Sequence, residues 1–316
     1  MNRQLFILID PIEHLHPEKD SSLAFVKYLL IQENWSVYLI FPGQLWLDNG
    51  VPWAKTNLIT EMDSKTSMPQ LAATESQTLS TADAIWIRQD PPFDMDYLTM
   101  TYVMSLTEQQ GTVLINAPEG IRAANEKMCI HWFPKWCPPT RVTQDIGFIE
   151  SFLHDHGKAI IKPLDQMGGR GIFLLDENDP NRRSIMENST AYGTRMIMVQ
   201  AFLPDIRNGD VRIILIDGCP ASHALVRMPS KDDFRGNMAT GGTTSVRPIT
   251  ETEGIICADI GPKLAAMGLM FVGIDLIGDK LTEINVTSPT GIVQIETHAN
   301  IQVSALLLEA IEKKLI

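Results

Sequence analysis

The 316-residue chain has no basic tract: 26 Lys and Arg stand against 38 Asp and Glu, for a net charge of -12. That balance argues against broad binding to nucleic acid or to anionic membranes. Long apolar runs are also missing. The longest are strand-sized, so none spans a bilayer. The opening "MNRQLFILIDPIEHL" is broken at Asp10 too early for a signal sequence, and residues 5–9 read as a first strand. Cysteine is sparse. Cys129, Cys137, Cys219 and Cys257 form no CxxC pair, which points to reduced thiols and a cytoplasmic protein. No P-loop and no G-x-G-x-x-G at a helix start occurs, and no internal repeat or low-complexity tract is visible. His14 with His16 and His154 with His156 are spaced by two, but neither pair has a convincing third ligand, so zinc is not supported. What remains is ordinary globular composition, 44% hydrophobic and 20% charged, long enough for two or three packed units.

The pattern along the chain alternates α and β. Strands are expected at 5–9, 37–41, 84–87 and 113–116, with helices at 21–32 and 97–109. This strand–helix–strand spacing implies a parallel sheet. The stretch 49–80 reads as polar and irregular. "APEGIRAANEKMCIHWF" begins a helix with Pro118 in its first turn. Beyond it the strands lengthen and their turns shorten: 159–163, 172–175, 196–202, 211–217 and 221–228. Such a pattern suits an antiparallel α+β unit. "FVGIDLIGDKLTEINV" is a hairpin about Gly278 and Asp279, and a last helix covers 302–313.

Several residues carry chemistry on their own pattern. "IIKPLDQMGGRGIFLL" has more glycine than a hairpin needs, which suggests backbone lying close against an anion, with Lys162 at its base. Period-two alternation places Glu283 and Asn285 on one strand face, with Asp275 on the facing arm. These are hard oxygen ligands suited to Mg²⁺, or else a solvated face. Arg212 and Arg227 sit in apolar strands and need anionic partners, either a structural carboxylate or a ligand. Lys127 and Lys162 read as surface lysines or as anion ligands. Residues 228–243, glycine-bearing and without periodicity, read as a lid or as disorder.

Taken in order, "DPPFD" (90–94), "NEK" (125–127), "KPLDQMGG" (162–169), "RGN" (235–237) and "VGIDLIGDKLTEINVTSPT" (272–290) resemble the bacterial glutathione synthetases, a family of ATP-grasp carboxylate–amine ligases. The likeness runs over nearly the whole chain. It implies an α/β N-terminal domain with a parallel sheet (1–122), followed by a two-lobed α+β ATP-grasp domain. The lobes would be 123–203 and 204–316, with a lid near 228–243. The implied reaction joins γ-glutamylcysteine and glycine with ATP, giving glutathione, ADP and phosphate through an acyl phosphate. By the same resemblance Lys127, Lys162, Gly168 and Gly169 would bind the phosphates. Gln200, Ala201, Phe202 and Leu203 would read adenine, and Asp210 would approach the ribose. Asp275, Glu283 and Asn285 would hold Mg²⁺, with Mn²⁺ able to substitute. Arg212, Arg227 and the lid residue Arg235 would be catalytic. Asp20, Ser21, Ser22 and Arg88 would contact the peptide, and Ser288, Pro289 and Thr290 the glycine end. The family also implies a homotetramer with neither nucleic-acid nor membrane partners. Gln166 stands where the family carries glycine, and Arg170 where a small residue is expected.

Overall fold

The computed structural model describes residues 2–32, 34–230 and 242–316. Strand Arg3–Leu8 is central to the first sheet. It pairs in parallel with Trp35–Ile40 on one side and Ala84–Ile87 on the other, and Val113–Ile115 continues the parallel set. Its side chains alternate between two cores, as a strand covered on both faces must. Leu5 and Ile7 pack with Phe25, Val26 and Leu29 of helix Ser21–Ile31. Phe6 and Leu8 pack with Tyr97, Met100 and Met104 of helix Met95–Gln109.

The 49–80 stretch is not irregular. It forms strands Val51–Met62, Pro69–Leu71 and Glu75–Thr78, which extend the sheet as an antiparallel edge together with Leu45–Asp48. Polar residues occupy its buried positions and hide the alternation. Thr56 and Asn57 are buried, and each is satisfied by a neighbour: Gln77 Nε2 donates to Thr56 Oγ1 at 2.7 Å, and Asn57 Nδ2 donates to Thr74 Oγ1 at 2.6 Å. The helix begun at Pro118 also stops early, at Ala123, and a 3₁₀ turn covers Met128–Trp132. Asn125 Oδ1 accepts the N–H groups of Lys127 and Met128, each at 3.1 Å, and so diverts the backbone from continuing the helix.

The second sheet is antiparallel, in the order Phe173–Asp176, Lys158–Pro163, Ile197–Ala201, Thr140–Thr143. Its inner face, with Ala159, Ile161 and Val199, packs on helices Ile146–His156 and Arg182–Ser189 through Ile149, Phe152 and Met186. The third sheet runs Thr243–Pro248, His223–Met228, Asp210–Ile216, Phe271–Ile277, Lys280–Asn285, with Cys219–Pro220 paired on its middle strand. Ile213 and Leu215 face the core under helix Glu251–Ala266. Ile214 and Ile216, one residue out of phase, join the core of the first sheet. Two terminal helices, Ile292–Ala299 and Val303–Lys314, complete that shared core. Among the described residues no helix is long and apolar enough to cross a membrane, and all four cysteines are free.

Candidate active site

The alternation that buries Ile214 and Ile216 brings Asp210 and Arg212 onto the same strand face. On the adjoining strand Asp275 stands opposite Arg212, and Glu283 opposite Asp275. A bulge after Asp275 shifts the register, so that Leu276 pairs with Leu281. This lets Leu281 and Ile284 both enter the core while Glu283 and Asn285 stay on the functional face. Gly273 is required by a close approach: a Cβ there would lie 2.9 Å from Arg212 Cδ and 2.9 Å from Pro289 Cβ. The Arg212 side chain therefore crosses directly over the glycine.

The charges form a buried lattice. Arg212 grips Asp275 with two donors, Nε to Oδ1 and Nη2 to Oδ2, the latter at 2.8 Å. Arg227 Nη2 lies 2.6 Å from Asp210 Oδ2 and 3.0 Å from Asp275 Oδ2. Burial alone would raise the Asp275 carboxyl, but Arg212 and Arg227 outweigh it and hold it well below the usual range. Asp210 has a weaker share of cation, and burial pushes it up to about 6. Its Oδ1 is buried without a partner, as is Arg227 Nε. Both atoms therefore keep hydrogen-bonding capacity beyond the ion pairs.

Two spaces flank the lattice. The first is a narrow cleft between the second and third sheets, with Ile160, Ile172, Ile206 and Ile277 as apolar walls and Lys162 and Glu283 at one end. Gln200, Ala201, Phe202 and Leu203 line it together. Ala201 N–H donates to Pro139 O and Phe202 N–H to Lys158 O, which leaves the Leu203 N–H with no partner among the described residues. Burial lowers the Lys162 pKa, and its ammonium has no ion pair among the described residues. Residues 164–172 form the glycine-rich arm over this region. Gly168, Gly169 and Gly171 all have positive φ (64°, 78° and 68°), which only glycine adopts freely. Two side chains of the 125–127 segment tie the arm down: Asn125 Nδ2 to Leu164 O at 3.0 Å, and Lys127 Nζ to Gln166 O at 2.7 Å. The tie uses the Gln166 carbonyl, so its side chain is free to be something other than glycine's hydrogen. Lys127 is buried, also holds Glu126 at 2.8 Å, and lines neither space.

The second space is a cavity of about 560 Å³ between the first and third sheets and the arm. Arg212, Arg227, Gly168, Arg170, Ser288, Pro289 and Thr290 line it on one side, Asp20 and Arg88 on the other. Ser21 and Ser22, expected at the peptide, are not among the residues lining it. Ser21 Oγ accepts the N–H groups of Gly291 and Ile292 at 3.1 and 3.2 Å, and Ser22 Oγ accepts from Arg88 Nε at 2.9 Å. Both hydroxyl oxygens hold other groups in place. Arg235 and most of the expected lid lie outside the described residues. The sequence reading missed Asp10, Asp90, His14, His16 and Lys19, which also line the cavity. The signal for Asp10, Arg88 and Asp90 is positional: all three follow the carboxyl ends of parallel strands, where ligands of open α/β sheets bind. Glu126 was missed as well. Burial and the neighbouring Glu283 push it up to about 7.

No group of three or more His, Cys, Asp or Glu side chains able to hold a metal occurs among the described residues. The donors present are of another kind. Asn285 Nδ2 donates to Gly273 O at 3.2 Å and Asp275 Oδ2 at 3.3 Å, so its Oδ1 is turned free. Glu283 Oε1 is 4.0 Å from Lys127 Nζ. One amide oxygen and one or two carboxylates fit a hard ion that takes its other ligands from phosphate and water, as Mg²⁺ does.

Two family models together match most of the chain: the N-terminal domain of prokaryotic glutathione synthetase over residues 4–122, and its ATP-grasp domain over 126–300. A glutathione synthetase from Vibrio vulnificus (strain YJ016) is 42% identical over 312 residues, 99% of this chain and 98% of its own. One from Coxiella burnetii is 38% identical over 314 residues, again 99% of this chain and 98% of its own. Among solved structures, the D-cycloserine synthetase DcsG superposes with a TM-score of 0.67 at 14% identity, covering 99% of this chain and 100% of its own. D-alanyl-alanine synthetase A from Vibrio cholerae gives 0.61 at 13% identity, covering 100% and 99%. At that identity the likeness speaks for the fold alone. The sequence matches speak for more: the chain belongs to the prokaryotic glutathione synthetase family, with an N-terminal domain followed by an ATP-grasp domain.

Proposed function

We propose that this chain ligates γ-glutamylcysteine to glycine, consuming ATP and releasing glutathione, ADP and phosphate. The observation that carries the reading is that Arg212 and Arg227 line the large cavity while their partner Asp275 lines the narrow cleft, with Glu283 lining both. A nucleotide in the cleft would point its terminal phosphate at a carboxylate held in the cavity, and two guanidiniums would meet the charge that develops between them. The donor carboxylate attacks the γ-phosphorus, and ADP leaves. The glycine amine then attacks the acyl carbon, sheds a proton and expels phosphate. Both steps need positioning and charge neutralisation more than covalent help from the protein.

On this proposal each of these residues takes a role. Adenine lies between the isoleucine walls and takes the free Leu203 N–H, and the unpartnered Asp210 Oδ1 meets a ribose hydroxyl. Lys162 pairs with the phosphates beneath Gly168 and Gly169, and Lys127 reaches them on releasing the Gln166 carbonyl. Asp275, Glu283 and Asn285 would hold Mg²⁺ or Mn²⁺ there; a bound ion supplies neutralising charge on the phosphate oxygens. Ser288, Pro289 and Thr290 would border the acceptor glycine, and Arg235, outside the described residues, keeps the role that family membership implies, excluding water from the acyl phosphate. Division of the chain at 122 and 203, a tetrameric assembly and a cytoplasmic location are part of the same proposal.

Phosphate release from ATP, measured with γ-glutamylcysteine in the presence and absence of glycine, tests it. Phosphate and glutathione should appear one for one and only with glycine. Equal turnover with D-alanine or another amine in place of glycine would assign the site to a different ligase.

A further inference from the structure

The strands that carry the glycine arm present a different space on each face of the second sheet. Lys162 and Ile172 line the narrow cleft, while Pro163, Gly171 and Phe173, one residue out of step, line a pocket of about 320 Å³ on the opposite face. Ile161 and Leu175 share that opposite face but are buried in the core beneath helices Ile146–His156 and Arg182–Ser189. The pocket therefore opens where the helical layer stops short of the strand ends. Phe173, paired with Ile161, is left 47% exposed there. The far wall comes from helix Arg182–Ser189 and the turn after it. Ile185 supplies an apolar side chain, and Ser189 is 6% exposed with its Oγ buried without a partner. Arg195 is the only charged side chain among the described residues that line the pocket. Its Nε and Nη2 both donate to Ser189 O, at 3.1 and 2.9 Å, which pins the guanidinium. Nη1 has no hydrogen bond among the described residues.

A pinned cation with no carboxylate in the lining, on a chain of net charge -12, suits an anion. The uncovered Phe173 ring beside Ile185 suits a flat apolar group. The volume is at the small end of the range for small-molecule sites. We propose that this pocket is an effector site for a small aromatic carboxylate, its ring on Phe173 and Ile185 and its carboxylate on Arg195 Nη1 and the Ser189 hydroxyl. Its reach to the arm is direct. The arm is strung between Pro163, which ends one strand, and Phe173, which begins the next. Gly171 lies so close to Pro163 that a Cβ on it would stand 2.8 Å from Pro163 Cγ. A ligand behind this contact braces both roots of the arm, and the arm covers the cleft in front. The effector thus favours the closed arm and tighter nucleotide binding, and by linkage the nucleotide tightens effector binding by the same factor. Only this coupling rests on the nucleotide reading of the cleft; the pocket's affinity for the carboxylate does not.

Phenylacetate, with phenylacetamide as its uncharged counterpart, tests the site on the full chain. In isoleucine-methyl NMR, phenylacetate should move the Ile185 signal with a Kd on the order of 1 mM, ordinary for so small a ligand. Phenylacetamide should bind about 10-fold more weakly, the size of a lost charge-assisted hydrogen bond. Arg195→Gln should bind acid and amide alike. Saturating phenylacetate should raise the affinity for Mg²⁺ with a non-hydrolysable ATP analogue by about fivefold and slow tryptic cleavage after Arg170. Both effects should vanish in Arg195→Gln, whose nucleotide affinity without the probe should match that of the unaltered protein. Ser184 also lines the pocket, and Ser184→Trp puts a ring into it. That variant should show the tighter nucleotide binding and the slower cleavage with no probe present. An unmoved Ile185 methyl, or equal binding of acid and amide to the unaltered protein, would overturn the site. A probe that binds but changes neither nucleotide affinity nor cleavage would overturn the effector role. If the nucleotide itself fails to bind while the probe still slows cleavage, the effector site stands and the reading of the cleft falls.

Discussion

Arg212 is where structural and chemical demands meet in one side chain. Its Nε and Nη2 belong to Asp275, and Nη1 reaches Thr290 O at 3.3 Å. A lysine there keeps the charge but loses the fork. Arg212→Lys should lower kcat by about 10²-fold with a smaller change in the KM for ATP, as expected for a donor that acts on developing charge. If the arginine only balances Asp275, turnover per folded molecule stays near normal and the melting temperature alone drops. Glu283→Gln tests the neighbouring donor. It should shift the Mg²⁺ concentration needed for half-maximal turnover upward while leaving stability nearly unchanged, and an identical Mg²⁺ titration would remove Glu283 from the metal set. Glu126 makes a prediction in pH. Its folded value, pushed up to about 7, exceeds the ordinary 4.5. Between those values the folded protein keeps a proton that the unfolded chain has lost, so stability falls as pH rises through the window. Asp210, pushed up to about 6, adds a decline of the same sign at lower pH. Urea midpoints of the ligand-free protein should therefore decline from pH 5 to pH 8, and Glu126→Gln should flatten the part above about pH 6. Among these residues, Arg212, Asp275, Glu283 and Asn285 were legible because a period of two in an apolar strand makes a charge conspicuous. Glu126, Asp10 and Asp90 stand at chain reversals, where no period exists to be broken. Their place is set by which strand ends meet in space.

The same contrast holds for whole elements. Arg3–Leu8 and Asp210–Ile216 were readable because each buries side chains on both faces. Val51–Met62 was not, because hydrogen-bonded Thr56 and Asn57 take interior positions that the pattern reserves for apolar residues. The early helix end at Ala123 was hidden for a similar reason, since the Asn125 side chain substitutes for helical hydrogen bonds. The arm over the cleft was conspicuous by its glycines, but they are not equivalent. Gly168 has a φ of 64° and open space where a Cβ would stand. Gly171 has a φ of 68°, and a Cβ there would come within 2.8 Å of Pro163 Cγ. Gly168→Ala therefore costs only the left-handed backbone, about 1–2 kcal/mol. Gly171→Ala adds a clash against a rigid ring at the arm's base. The second variant should raise the KM for ATP several-fold more than the first. It should also speed tryptic cleavage after the exposed Arg170, a readout that needs no catalysis. Equal behaviour of the two would mean that the arm is free to shift away from Pro163.

Over the whole molecule, the first and third sheets share one core: Leu5, Ile7, Phe25 and Trp86 pack in the same cluster as Ile214, Phe271 and Ile295. Asn116 bridges them with three buried hydrogen bonds, Nδ2 to Phe271 O at 2.8 Å and to Val286 O at 2.7 Å, and Oδ1 from Phe271 N at 2.7 Å. Ser21 adds its two bonds to Gly291 and Ile292. One face of the second sheet closes a core of its own, around Ile149, Phe152 and Met186, while Met198 on the other face joins the core of the third sheet. Arg212, Arg227, Asp275, Glu283 and Asn285 thus stand on one body joined to the first sheet, while Lys162 and the glycine arm stand with the second sheet. Strands of both the second and third sheets line the narrow cleft, and the large cavity meets the arm as well as the joined body. Units with separate cores open separately, and a ligand that spans them raises the cost of opening the weaker one. Native-state hydrogen exchange should then find the amides of Lys158–Pro163 and Ile197–Ala201 opening at a lower free energy than those of Arg3–Leu8 and Asp210–Ile216. Adding Mg²⁺ with a non-hydrolysable ATP analogue should close most of that gap by protecting the second sheet. γ-Glutamylcysteine alone, in a cavity that meets only the arm of that unit and none of its strands, should protect the second sheet far less. One common opening free energy for all four strands without ligand would show that the second sheet is no separate unit. The nucleotide would then have no coupling to supply.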